Sequence, residues 1–194
     1  MKAAAIQMVS GASLDANLRA AHALLREAAQ QGAELAVLPE YFCLMGHQDT
    51  DKLALREPPG SGTVQAFLAS TARELGLWLV GGTLPMVASD ADHVRNTNLV
   101  FSPAGDCVAH YDKIHLFRFD NGRERYDESR VIEAGRTPVA FELPSRDGHR
   151  WRVGLSVCYD LRFPELYRAL AADVLLVPSA FTFVTGQAHW EVLL

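Results

Sequence analysis

Three side chains with complementary chemistry follow three different apolar stretches of this chain. A carboxylate stands at Glu40, an ammonium group at Lys113 and a thiol at Cys158. A thiol nucleophile needs a group that accepts its proton and donors that stabilise the oxyanion formed when it attacks. Glu40 and Lys113 would supply these two functions, so the three residues together predict covalent catalysis by Cys158.

Each of these residues also has an ordinary structural interpretation when it is taken alone. A free cysteine is more often a buried packing residue, and Glu40 and Lys113 are typical of solvated loops. Cys158, however, ends a strand pattern over residues 151–158 and precedes a helix pattern that begins at Phe163. Such a turn exposes a nucleophile to backbone N–H groups that can bind an oxyanion, and a nearby cation would lower the pKa of the thiol.

Other polar residues leave alternatives open. Glu128 is expected to orient Lys113 or Glu40, although a surface acid in a charged loop is a strong alternative. A cysteine–histidine pair, with His115 beside Cys158, is compatible with the sequence because such partners are remote along the chain. Cys43 and Cys107 have no surrounding pattern and are interpreted as packing residues.

Composition limits the class of protein. The 194 residues are 49% hydrophobic and 21% charged with a net charge of −5, which predicts one domain over residues 1–194 and argues against a nucleic-acid partner. Three cysteines favour a reducing compartment, and no apolar run suits a signal peptide or a membrane span, so we expect a cytoplasmic protein without a membrane partner. The sequence has no metal-ligand, dinucleotide or phosphate-loop motif, so we predict no metal and no cofactor.

The hydrophobic pattern alternates between helical and strand periods. This predicts a layered α/β protein with mixed sheets and helices on one face of each sheet. The interpreted helices are 14–30, 63–75, 163–171 and 188–194, and the strands are 2–8, 34–38, 77–83, 95–101, 107–112, 138–143, 151–158 and 173–178. Residues 45–60 and 114–137 are interpreted as loops, the second unusually long and therefore a candidate functional segment.

Taken together, these segments resemble the nitrilase superfamily of carbon–nitrogen hydrolases, whose triad is Glu, Lys and Cys in that chain order. The motifs that carry the resemblance are Ala5–Met8, Val37–Glu40, Tyr111–Phe117, Tyr126–Ser129 and Cys158–Glu165. Two further stretches, Pro178–Phe181 and Thr185–Glu191, resemble the Nit branch, which contains deaminated glutathione amidases and ω-amidases. The resemblance implies a four-layer α-β-β-α sandwich and a homo-oligomer when the fold is complete.

The resemblance also implies a mechanism and a substrate class. Cys158 would attack the carbon of a small carboxamide, such as a 2-oxo acid amide, while Glu40 takes the thiol proton. Lys113 and the backbone N–H of Tyr159 would hold the oxyanion, and Glu128 would position these groups. The thioester would then be hydrolysed to the acid after ammonia leaves, without a cofactor.

The predicted substrate contacts rest on fewer sequence features than the triad does. Arg162 would meet a substrate carboxylate, or alternatively form an ion pair with Asp160 or Glu165. Phe181 and Thr185 match positions that line the binding site in the Nit branch. Arginines in the long loop would guide an anionic substrate or simply form a solvated face; they are Arg118, Arg123 and Arg125.

Two departures from the family pattern add an alternative function. The sequence given stops soon after Glu191, so we expect a fold that lacks the family's C-terminal part, with unpaired sheet edges and exposed apolar surface. Residues 167–174 are shorter than in the family and lack a glycine helix stop, which would affect the position of Cys158. A non-catalytic homologue that acts by associating with partners therefore stays open. A nitrilase acting on nitriles also stays open within the superfamily, although the Nit-like stretch 178–191 favours an amide.

Overall fold

The computed structural model describes residues 1–194, which form five α-helices and eleven β-strands. The helices are α1 Leu14–Gln30, α2 Asp51–Ala54, α3 Thr63–Leu75, α4 Pro164–Leu170 and α5 Phe183–Leu193. The strands are β1 Ala3–Ala5, β2 Leu35–Val37, β3 Trp78–Val80, β4 Leu84–Val87, β5 Val94–Phe101, β6 Cys107–Asp112, β7 Arg118–Asp120, β8 Arg125–Asp127, β9 Ala140–Pro144, β10 Arg150–Leu155 and β11 Val174–Leu176. Two 3-10 turns lie at Glu128–Arg130 and Cys158–Arg162.

Two stacked sheets with helices on their outer faces give the four layers expected from the sequence. The first sheet has six strands: β1, β2 and β3 are parallel, and β4, β5 and β6 add antiparallel pairs. The second sheet has three strands, with β10 parallel to β11 and antiparallel to β9. Helices α1 and α3 cover the first sheet, and α4 covers the second, where the Leu170 side chain reaches the backbone of Gly154.

Separate apolar clusters hold these layers together. Eighteen buried residues join α1 and α3 to the first sheet, among them Leu25 and Leu68. Ten buried residues fill the space between the sheets, where Tyr111 of β6 and Val153 of β10 meet. Strand residues alternate between these two clusters because successive side chains point to opposite faces of a sheet.

The long periodic segments were predicted correctly. Helices α1 and α3 have the predicted bounds, and the Ser13 side chain accepts a hydrogen bond from Ala16 N as an N-cap. Gly76 ends α3 in the left-handed conformation. The hairpin β5–β6 also matches its prediction to within one residue. In these elements the periodicity of apolar residues and the residues that cap each end indicate the same boundaries as the folded structure.

Several boundaries of the prediction were wrong. The strand predicted over 2–8 is limited to Ala3–Ala5 and is not buried, because at the sheet edge only alternate residues face the helix side. The strand predicted to reach Cys158 ends at Leu155, and Cys158 begins a 3-10 turn. The segment 45–60, interpreted as a loop, contains α2, and the short strand β4 was not predicted.

Two larger corrections concern segments around the cavity described below. The long loop 114–137 contains the hairpin β7–β8, whose strands are joined by residues 121–124, with Gly122 at a φ of 79°. Asn121 N donates to Glu124 O at 3.2 Å within this four-residue turn, and glycine adopts the positive φ without a steric cost. Helix α5 begins at Phe183 rather than near Ala188, because the Thr182 side chain caps Thr185 N ahead of the helix-weakening Gly186.

Exposed apolar side chains concentrate near the last elements. Phe183 and Val192 of α5 are 78% and 84% exposed, and Leu175 of β11 is 45% exposed. Strand β11 pairs only with β10, so its other edge is open. No helix combines the length and the apolar character needed to cross a membrane.

The segment 167–174, which follows the Cys158 turn, contains a strained residue. Ala171 ends α4 with φ 46° and ψ 45°, the left-handed conformation that a glycine stop would adopt without a Cβ clash. We expect Ala171→Gly to stabilise the fold by about 0.5–1 kcal/mol, because the relief of strain exceeds the added entropy of the unfolded chain. Urea unfolding followed by circular dichroism measures this change.

Ala169, inside α4 and also exposed, provides the matched control. Ala169→Gly should destabilise the fold by about 0.5–1 kcal/mol, since glycine is unfavourable in a helix interior. Equal destabilisation by both substitutions would show that Ala171 is not strained.

Candidate active site

Glu40, Lys113 and Cys158 lie together at the carboxyl ends of strands from both sheets. Glu40 follows β2, Lys113 follows β6 and Cys158 follows β10. Their exposed fractions are 3%, 1% and 8%, so all three side chains are buried. The structure therefore brings the three predicted residues together and excludes the solvated interpretations of Glu40 and Lys113.

Lys113 lies between two carboxylates. Its Nζ atom is 3.0 Å from Glu40 Oε1 and 2.8 Å from Glu128 Oε2. Burial alone would lower the pKa of Lys113, but the charges of Glu40 and Glu128 outweigh it and hold the pKa above its usual value. The lysine is therefore a fixed cation, and Glu128 is in direct contact with it.

Glu128 is itself held by donors on three sides. Besides Lys113, the Tyr41 hydroxyl donates to its Oε1 at 2.8 Å, and Phe117 N donates to its Oε2 at 2.7 Å. Burial, followed by the charges of Glu128 and Glu40, raises the pKa of Tyr41 well above its usual value, so the hydroxyl keeps its proton. Tyr41, which sequence reasoning did not single out, is thus part of the site.

The conformation of Cys158 fits a nucleophile on a sharp turn. The residue has a φ of 50°, in the left-handed region, and its N–H donates to Pro178 O at 2.9 Å. Tyr159 follows in the first turn of the 3-10 segment, where backbone N–H groups have no partner within the segment, and it lines the same cavity as Cys158.

The expected low thiol pKa was wrong. Burial and the adjacent Glu40 charge raise the pKa of Cys158 well above its usual value, and Lys113 offsets this only in part. Lys113 is already paired with two carboxylates, so little of its charge acts on the sulfur. Cys158 rests as a neutral thiol against the Glu40 carboxylate, and its activation requires a base.

Asp160 fastens the nucleophile turn to the lysine segment, a role that the sequence did not reveal. Its Oδ2 accepts from Val157 N at 2.9 Å and from the Tyr111 hydroxyl at 2.7 Å. Its Oδ1 accepts from the backbone N of His115 at 2.9 Å and lies 2.7 Å from that residue's Nδ1. These bonds cross from the second sheet to the first and fix the separation of Cys158 and Lys113.

Two glycines allow the close backbone packing behind the site. A Cβ at Gly82, where φ is 56°, would lie 2.0 Å from the carbonyl oxygen of Pro39, next to Glu40. A Cβ at Gly135 would lie 2.1 Å from the carbonyl oxygen of Asp112, next to Lys113. Both positions therefore require glycine for the present placement of Glu40 and Lys113.

A cavity of about 800 Å³ opens above Cys158. It is lined by all the site residues that the sequence predicted: Glu40, Lys113, Cys158, Glu128, Tyr159, Arg162, Phe181 and Thr185. Of the three loop arginines, only Arg125 reaches the cavity lining. The cavity has the size typical of small-molecule sites.

Arg162 has no carboxylate partner in this structure. Asp160 is engaged with Tyr111 and His115, and Glu165 pairs with Arg168 at 3.2 Å. The guanidinium carbon of Arg162 lies 5.7 Å from the centre of the Tyr159 ring, and its Nε is buried without a hydrogen-bond partner. The ion-pair interpretation of Arg162 is therefore wrong.

His115 makes its contacts with groups other than the Cys158 thiol. Its ring stacks on Phe163 at 3.6 Å between centroids, its Nδ1 faces Asp160, and it does not line the cavity. The group that adjoins the Cys158 thiol is Glu40 rather than a histidine. This geometry does not support the cysteine–histidine alternative.

Comparison with known proteins gives consistent matches. Residues 2–194 match the profile of the carbon-nitrogen hydrolase family. A deaminated glutathione amidase of Synechocystis is 39% identical over 99% of this chain and 71% of its own length. An omega-amidase of Danio rerio is 39% identical over 91% of this chain and 62% of its own length.

Solved structures agree in fold. The Caenorhabditis elegans NitFhit protein superposes with a TM-score of 0.84 and 35% identity over 99% of this chain, which spans 47% of that protein. A Saccharomyces cerevisiae member of branch 10 of the nitrilase superfamily superposes with a TM-score of 0.82 and 29% identity, covering 100% of this chain and 69% of that one. The mixed α/β layering described above is the nitrilase-superfamily fold.

The buried lysine gives a prediction about stability. In Lys113→Met the Glu40 and Glu128 carboxylates would face each other without a cation, so we expect a loss of about 3–5 kcal/mol in unfolding free energy at pH 7. Urea unfolding of the variant and the wild type measures the loss.

Lys52, at the cavity margin, is the control, because it pairs only with the exposed Asp49 and lies 4.8 Å from the Tyr41 ring centre. Lys52→Met should cost no more than about 1 kcal/mol. Similar losses in the two variants would contradict the central role of the buried lysine.

Proposed function

The chain belongs to the carbon–nitrogen hydrolase family, and we propose that it hydrolyses a small 2-oxo acid amide, such as deaminated glutathione, to the acid and ammonia. Amide hydrolysis by a carbon–nitrogen hydrolase is supported by relatives that are named amidases at 37–39% identity. The identity of the amide and the roles of the individual residues are our proposal.

The surroundings of Cys158 support the mechanism. Its thiol is buried and neutral and lies against the Glu40 carboxylate, which also contacts the permanently charged Lys113. Cys158 keeps its proton at rest because burial and Glu40 raise the pKa of the thiol. This supports Glu40 as the proposed general base and Lys113, 3.0 Å from Glu40 Oε1, as the proposed electrostatic stabiliser.

The proposed reaction runs in two halves. Cys158 gives its proton to Glu40 as its sulfur bonds to the carboxamide carbon, and Lys113 and Tyr159 N–H stabilise the resulting oxyanion. The C–N bond then breaks, the leaving nitrogen takes the proton from Glu40, and ammonia departs from a thioester. Water attacks the thioester after giving a proton to Glu40, the C–S bond breaks, and the acid leaves as the thiol is reprotonated.

Substrate recognition follows from the cations that line the cavity. Arg162 presents a guanidinium group without an ion-pair partner, and its planar fork suits a carboxylate. Phe181 and Thr185 line the wall of the cavity formed by the segment before α5 and its first turn. An anionic amide would thus place its carboxylate at Arg162 and its carboxamide at Cys158.

The amidase proposal is tested by ammonia release. Wild-type protein should release ammonia from deaminated glutathione and from a 2-oxo acid ω-amide, and the ratio of kcat/KM values identifies the preferred substrate. Cys158→Ala should lower the rate by at least about 10³-fold because it removes the nucleophile.

Cys107→Ala is the matched control, since Cys107 is also free but lies exposed on β6 away from the cavity. This variant should retain wild-type activity. A folded wild-type protein that releases no ammonia from either amide would instead favour the non-catalytic homologue.

Recognition by Arg162 gives a separate prediction. Arg162→Met should raise KM for an anionic 2-oxo acid amide by about 10–100-fold, because a hydrogen-bonded ion pair is lost, while kcat/KM for a neutral short-chain amide changes little. Arg123→Met, in the exposed turn of the β7–β8 hairpin, serves as the control and should leave both values unchanged. A uniform loss on charged and neutral amides would contradict recognition of a carboxylate.

A further inference from the structure

Asn96 on β5 connects the catalytic carboxylate to the rest of the site, although no motif pointed to it. The side chain is 2% exposed, and its Nδ2 donates to Glu40 Oε1 at 2.9 Å and to the Tyr41 hydroxyl at 3.1 Å. Its backbone oxygen accepts from Lys113 N at 3.0 Å. One residue thus contacts both Glu40 and the segment that carries Lys113.

These contacts close a ring of five groups. Starting at Glu40 Oε1, the ring passes to Lys113 Nζ at 3.0 Å and on to Glu128 Oε1 at 3.0 Å. It continues to the Tyr41 hydroxyl at 2.8 Å, to Asn96 Nδ2 at 3.1 Å, and returns to Glu40 at 2.9 Å. Every member is buried or partly buried, so each bond is shielded from water.

The available donors and acceptors fix the direction of the hydrogen bonds of Asn96 and Tyr41 in this ring. Asn96 Nδ2 has two hydrogens, and both are used, one on Glu40 and one on Tyr41. The single Tyr41 proton goes to Glu128, so the hydroxyl can only accept from Asn96. The amide of Asn96 must therefore turn its nitrogen, not its oxygen, toward Glu40.

This arrangement distinguishes the two oxygens of Glu40. Oε1 accepts from both Lys113 and Asn96 and has no further lone pair to offer. Oε2 accepts one hydrogen bond, from Ala180 N at 2.9 Å, and retains capacity for a proton. The thiol proton of Cys158 can therefore be received only at Oε2.

We propose that Asn96 is a positioning residue for the general base: by saturating Oε1 of Glu40 it directs Oε2 to the thiol. The role of Asn96 in amide hydrolysis rests on the proposed function, whereas its effect on the reactivity of Cys158 does not. Without Asn96, Oε1 would keep Lys113 as its one donor, and the carboxylate could rotate. Oε2 would then no longer be held toward the thiol.

The experiment compares wild type with Asn96→Leu, which has a similar volume and no donor. Two quantities are measured against pH: kcat and KM for ammonia release, and the rate of alkylation of Cys158 by iodoacetamide, followed by mass spectrometry of its peptide. For Asn96→Leu we expect kcat and the alkylation rate to fall by about 10–100-fold across the pH range with little change in KM, because the base is no longer held against the thiol.

Asn98 offers a closely matched control on the same strand and the same face. It is fully buried, pairs in register with Tyr111, and its side-chain amide makes no hydrogen bond to any protein group. Asn98→Leu should leave kcat and the alkylation rate at their wild-type values. A second variant, Asn96→Ala, repeats the test with a smaller side chain if Asn96→Leu does not fold, as judged by thermal unfolding.

The two readouts separate the inference from the proposed function. If the wild type releases no ammonia but alkylation of Cys158 slows in Asn96→Leu and not in Asn98→Leu, the positioning role stands and the amidase proposal fails. If ammonia release depends on Cys158 but the Asn96 variants keep the wild-type kcat and alkylation rate, the positioning role is overturned. A loss of the same size in Asn98→Leu would also overturn it, because the effect would then belong to any change on that face.

Discussion

The buried ammonium of Lys113 between two carboxylates is the interaction on which the rest of this structure depends. Removing three charges from water is costly unless each carboxylate and ammonium hydrogen is satisfied. Donors from the rest of the site meet this requirement: Tyr41 and Phe117 for Glu128, and Asn96 and Ala180 for Glu40. These donors come from both sheets and from the segments between them, so the charge cluster requires the whole sandwich.

The packing between the sheets therefore has a functional consequence. Glu40 and Lys113 are carried by the first sheet, whereas Cys158 and Ala180 follow strands of the second. Ten buried residues between the sheets set their separation, and the bonds of Asp160 to Tyr111 and His115 fix their relative position at the site itself. A change in the apolar layer would be transmitted to the distance between nucleophile and base, because packed interiors do not deform freely.

Sequence reasoning recovered what depends on local pattern and missed what depends on register. Helices α1 and α3 follow from their periodicity and caps, and the triad follows from motifs that end apolar runs. Asn96 and Asp160 act through partners 56 and 45 residues away, and only the pairing of strands brings those partners within reach. The direction of the thiol pKa was also wrong, because the prediction counted the nearby lysine but not the burial of the thiol or the adjacent Glu40 charge.

The raised thiol pKa is consistent with efficient chemistry once the charges are followed through the proposed reaction. At rest the negative charge resides on Glu40 and Glu128, with Lys113 between them. When Cys158 gives its proton to Glu40, that carboxyl becomes neutral, and the charge reappears on the oxyanion of the substrate. Total charge in the site is unchanged, and Lys113 remains beside the negative charge before and after the transfer. A resting thiolate would instead add a third negative charge beside one lysine. A neutral thiol with a preorganised base and a fixed cation avoids that cost, and it is the arrangement that electrostatic stabilisation of an oxyanion requires.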